Sequence, residues 1–206
     1  MSRSPMALAL TILLSACGEG KAPAPPPAPA AEKAAPATPP AAPATPPAAP
    51  VLSGFSHEKG ADLFGYYLPK EEIKVGKWQL THLHLGGEDE LVAWEGGTRT
   101  TTYAPVMVEF EDVTSPMVAN EMGGENRSVT VRVLASAYKV STSEVQFVGA
   151  DPAVGEVHLD GKLAGGELAK LKKDGPSGNE APVLIGSLQV GAAAFPNAAF
   201  TWFGGD

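Results

Sequence analysis

A mainly β fold, an antiparallel β-sandwich carrying one or two short helices, is what residues 51–206 predict. Apolar residues recur at every second position, as in Val106, Val108 and Phe110, or Val129, Val131 and Val133. That is the period of a strand with one buried face. Turn residues (glycine, proline, aspartate) break the chain at short intervals. Only residues 167–173 combine helical spacing with a clear stop signal. About eight to ten short strands with little helix suggest two packed sheets, with a barrel as the other closure.

Taken in order, Ser56 is placed to cap a short helix over 57–64, and Pro69 limits any continuation beyond it. Residues 78–85 read as a strand and 91–95 as a second run. Gly86, Gly87, Glu88, Asp89 and Glu90 between them have turn chemistry, so the pair reads as a hairpin. A further strand-like run covers 98–103, before Pro105 interrupts it and the alternation of 106–111 begins. Residues 114–126, with a proline and two glycines, read as a surface loop. Val129 to Val133, then Tyr138, Val140, Val145 and Phe147, continue the two-residue period. Asp160-Gly161 between 157–159 and 162–163 is a two-residue hairpin signal. Leu168 and Leu171, with lysines in the last turn and Asp174-Gly175-Pro176 beyond, predict a helix. Residues 183–190 and 198–203 close the chain as strands.

The N-terminus is of another kind. Arg3 precedes an apolar core over 6–14, and Leu14-Ser15-Ala16-Cys17 comes next. The core is about half the length of a membrane-spanning helix, which makes residues 1–16 an export signal. Leu14 to Cys17 resembles the lipobox of bacterial lipoproteins, and Cys17 is the one cysteine of the chain. The resemblance implies that Cys17 carries two or three acyl chains, whereas one chain alone holds a protein only reversibly. Gly18 stands where an aspartate would resemble an inner-membrane retention signal, so the expected location is the outer membrane, facing the periplasm. Residues 17–50 then form the lipidated start and an alanine- and proline-rich tether, which offers almost nothing to bury and is expected to be disordered.

Residues 51–206 carry 12 basic against 21 acidic side chains. The excess argues against nucleic acid and against a basic patch for anionic lipid. With Cys17 lipidated, no thiol remains for catalysis, zinc or disulfides.

The sharpest chemical pattern is His82-Leu83-His84, whose imidazoles share one side of a strand. With Gly76 before it, Glu88, Asp89 and Glu90 after it, and Gly96 beyond, it resembles the first motif of the cupin family. The resemblance implies a divalent metal inside a β-barrel, held by His82, His84, Glu88 and Glu90, with Pro152, Gly155 and His158 echoing a second motif. Trp78, Trp94, Trp202, Phe203, Tyr103 and Tyr138 offer the alternative of a sugar platform. The expectation is a lipid-anchored envelope protein acting as a non-enzymatic binding or scaffolding module, without a cofactor. Its partners are the membrane, through Cys17, and an envelope protein or cell-wall saccharide. A cupin-like metal protein or metal-dependent enzyme is the second expectation.

Overall fold

The computed structural model describes residues 52–120, 123–175 and 181–205. The lipobox with Cys17, and the tether, lie outside them. Strands β1 (Phe55–His57), β2 (Gly65–Pro69), β3 (Lys74–Val75) and β4 (Trp78–Leu85) precede helix α1 (Glu88–Glu95). Next come β5 (Val106–Asp112), β6 (Met117–Ala119), β7 (Glu125–Arg127), β8 (Thr130–Val140), β9 (Glu144–Asp151) and β10 (Gly155–Leu163). Helix α2 (Gly165–Asp174), β11 (Leu184–Val190) and β12 (Ala193–Phe203) complete the described chain. No helix among the described residues is long and apolar enough to cross a membrane.

The fold is mainly β, but the sheet closes on itself instead of splitting into a sandwich. Eight antiparallel strands run β8-β5-β4-β2-β12-β11-β10-β9 and return to β8. Closure depends on β8, whose first half pairs with β5 and whose second half pairs with β9, through a register shift at 135–137. A bulge of this kind bends the strand and sharpens its twist. Both architectures bury alternate residues, so a two-residue period is blind to the difference.

The barrel is filled. Tyr67, Leu83, Leu85, Phe110, Val133, Tyr138, Phe147, Leu188 and Phe200 are all at most 1% exposed and belong to one core. The connections holding α1 and α2 leave the same end of the barrel, and Leu91, Trp94 and Leu168 bring both helices into that core.

Four local expectations are overturned. Residues 57–64 are not a helix: β1 runs parallel to the end of β8, and Glu58 carries its hydrogen bonding on through Val140. Residues 91–95 are not a strand but most of α1, into whose first turn the acids Glu88, Asp89 and Glu90 fall. Carboxylates belong there because the first amides of a helix lack partners. Residues 98–103 form no strand, because the Thr100 hydroxyl bonds both the amide and the carbonyl of Tyr103. Asp160-Gly161 is not a turn either, since β10 runs straight through it. The predicted loop at 114–126 holds β6 and part of β7, which pair with each other. The helix expected near 167–173 is α2.

Candidate functional site on the outer face of the barrel

The phase of β4 decides where its histidines point. Leu80 pairs with Phe110 and His82 with Glu109, so Thr81 is an extra residue on β4. Its hydroxyl donates to the Glu109 carbonyl at 2.9 Å. Before the bulge the core residues are Trp78 and Leu80; after it they are Leu83 and Leu85. The alternation has slipped by one, and His82 and His84 are on the outside.

There they join a row that crosses five strands. Phe203 pairs with Tyr66, Tyr66 with His84, His84 with Met107, and Met107 with Leu134. The Tyr66 ring lies 5.0 Å from His82 and 5.1 Å from His84, and Phe64 meets His84 edge-on at 6.1 Å. His84 is 4% exposed although it faces away from the core. Beside this row, Glu109 accepts from Arg132 Nε at 2.8 Å.

The hydrogen bonds fix the tautomers. Tyr103 donates its hydroxyl to Glu90 Oε1 at 2.8 Å, which leaves its oxygen to accept from His84 Nε2 at 3.0 Å. His84 is therefore the Nε2–H form, and its buried Nδ1 has no partner. By the same logic the Thr81 oxygen accepts from His82 Nδ1 at 3.2 Å. Burial keeps both rings neutral. It lowers His84 to about 4 against the pull of Glu90, with His82 and Arg132 pushing the same way as burial. It lowers His82 as well, opposed by Glu109 and reinforced by Arg132. Burial and the bond to Glu90 raise Tyr103.

The four residues expected to share a metal do not converge. Glu88 accepts from the Gly60 amide at 3.0 Å, while Glu90 divides its oxygens between Tyr103 and the Gly87 amide. The histidines lie outside the barrel, where a cupin-like site requires them inside. His158 of the second motif is on β10, separated from β4 by β11, β12 and β2. Among the described residues no three His, Cys, Asp or Glu side chains are grouped to hold a metal ion. The cupin-like ligand set does not fit this geometry.

Of the aromatics proposed for a sugar platform, Trp78, Trp94 and Tyr138 are buried. Trp202 donates Nε1 to the Phe64 carbonyl at 3.0 Å. Phe203 remains open at 37% and is joined by Phe64 at 40%. Phe64, Tyr66 and the Glu109–Arg132 pair were not singled out by sequence. The alternation of Phe64, Tyr66 and Leu68 about buried Gly65 and Tyr67 is the signal that marks them as outward-facing.

A second polar cluster sits at the helix-covered end. His57 Nδ1 donates to Glu95 Oε1 at 2.9 Å, and the Tyr138 hydroxyl donates to the same oxygen at 3.2 Å. Arg99 occupies the near-perpendicular corner made by the Phe55 and Trp94 rings, 4.7 and 4.6 Å from their centroids. His57 Nε2 and Trp94 Nε1 are buried there without partners. These residues pin β1, α1 and the 96–105 connection together.

Comparison of the chain with protein-family models, with curated proteins and with solved structures finds no match in any of the three.

Proposed function

We propose that this chain is a lipid-tethered binding module of the bacterial envelope, non-enzymatic, which meets its partner on the outside of its barrel. The observation that carries this reading is the filled interior. Tyr67, Phe110, Phe147 and Phe200 occupy the space where a barrel that carries a small molecule would keep a cavity. A ligand must then be met by the surface. The surface feature that combines exposed rings with polar groups is the outer face of β2, β4 and β12. The export signal, Cys17 and the tether support placement at the outer membrane, facing the periplasm. The test is mass spectrometry of native Cys17, with crosslinking of the full chain in intact cells. Acylated Cys17 and a crosslinked envelope component are expected; a bare thiol and a freely soluble protein after osmotic shock would overturn the reading.

The second reading is a divalent ion on the His82–His84 face, favoured by two neutral imidazoles on one side of β4. Its remaining ligands would have to be water or a bound molecule, because Glu88 and Glu90 are committed elsewhere. Elemental analysis, with melting in EDTA and in added zinc, manganese or nickel, decides it. An unshifted melt and no bound metal would remove the idea.

A further inference from the structure

The geometry points to a neutral saccharide as the ligand of the Phe203–Tyr66–His84 face; the inference rests on the surface-binding reading above and names its ligand class. The rings of Phe203 and Tyr66 are 6.5 Å apart and inclined by only 38°, so they form a shallow strip and not a closed cluster. Phe64 flanks it on the His84 side. From Phe203 to His84 the row takes two interstrand steps, about 10 Å, which is the length of a disaccharide. A pyranose is a plate with an apolar C–H face and a rim of hydroxyls. The strip offers ring surface to the first.

The rim finds partners of the right kind. Arg132 is half exposed, and its bond to Glu109 uses only Nε, so its terminal nitrogens remain available to a hydroxyl. His84 Nδ1 is a buried lone pair without a donor, an arrangement that is unfavourable until a donor reaches it. The His84 ring meets Phe64 edge-on, and Phe64 belongs to no strand or helix and is 40% exposed.

Charge selects against the other ligands. The cations near the face, Arg132 and Lys172, have their charges balanced by Glu109 and Asp62. Glu90 stands behind Tyr103, and residues 51–206 have nine more acids than bases. A phosphorylated glycan or an acidic peptide would therefore be repelled. A purely apolar partner would leave the imidazoles and the ion pair desolvated without compensation.

The test is calorimetric titration of the full chain, extracted in detergent, with chitotetraose and with maltotetraose. Saturable binding of at least one is expected, weakened about 3- to 10-fold by Phe203→Ala and again by Phe64→Ala. Both side chains are exposed, so the melting temperature should hold. Three results would overturn the inference: no binding of either sugar at millimolar concentration, binding undiminished in the double variant, or a double variant that instead abolishes self-association or binding to phosphatidylcholine vesicles. Fractionation of cells carrying Cys17→Ser tests the tether separately. A chain still anchored through Cys17 that ignores both sugars sinks this inference and leaves the anchor standing.

Discussion

His84 donates its Nε2 hydrogen to Tyr103 at 3.0 Å, and that bond exists only because Tyr103 has given its own hydrogen to Glu90. Three elements are tied by two hydrogen bonds: β4, the connection before β5, and the first turn of α1. Tyr103→Phe removes both bonds and leaves His84 with no partner on either nitrogen. The expected cost is about 1–3 kcal/mol, the penalty of orphaning buried polar groups. Urea unfolding of the full chain measures it, and an unmoved midpoint would show the relay to be idle.

Acid should weaken the barrel through the same histidine. His84 is held at about 4 in the folded protein, against an ordinary histidine value of 6.5. Between those values the unfolded chain binds a proton that the folded chain refuses. Stability therefore rises with pH across the window and is fully present above 6.5. The shift corresponds to about 3 kcal/mol at most. Asp112 acts in a lower window: its bond to Lys77, then that to Thr114, lowers it to about 2, so its contribution is lost as pH falls from 3.8 towards 2. Comparing urea midpoints at pH 7 and pH 4.5 reads His84 together with His82, which burial lowers as well, and the His84 share is found by substitution. The drop seen in the natural chain should shrink in His84→Leu. An equal drop in both would assign the acid sensitivity elsewhere.

Gly161 and Gly186 face each other across β10 and β11, and each is there for lack of room. A Cβ on Gly186 would sit 2.3 Å from the Asp160 carbonyl oxygen, against backbone that cannot move alone. On Gly161 it would meet Leu184 Cδ1 at 2.7 Å, the end of a side chain that can rotate. Gly186→Ala should therefore cost more than Gly161→Ala, which is expected near 1–3 kcal/mol, the usual range for overpacking. Thermal melts of the two variants rank them, and the reverse order would refute the argument.

That pair explains one misreading of the sequence. Asp-Gly is turn chemistry when glycine is needed for its backbone freedom, but in β10 it is needed for close approach. Nothing local distinguishes the two uses. The bulge at Thr81 had the same effect on the site. Counting by twos from Leu80 puts His82 and His84 with the core, and only the register against Glu109 shows the slip. Glu88, Asp89 and Glu90 were legible in principle, since acids followed by Leu91 and Trp94 mark a helix start. β8, β9, β11 and α2 were readable because burial alone sets their pattern. The row from Phe203 to Leu134 joins residues up to 137 positions apart, and only the closed sheet brings them together.

Glu90 is the residue on which the outer face and α1 both depend. Gly87 is the N-cap of α1 and has no side chain, so only half of a capping box can form: Glu90 Oε2 accepting from the Gly87 amide at 2.9 Å. The other oxygen takes the Tyr103 hydroxyl at 2.8 Å. Glu90→Ala removes both acceptors and should cost about 1–2 kcal/mol. Glu90→Gln keeps one carbonyl oxygen for two donors that approach from different sides, so it should recover only part of the loss. Because Tyr103 orients His84 through Glu90, combining Tyr103→Phe with Glu90→Ala should cost less than the sum of the two single changes. A double-mutant cycle in urea reads this directly. Strict additivity would mean that the cap and the tyrosine contact act independently, and that His84 does not owe its tautomer to the helix.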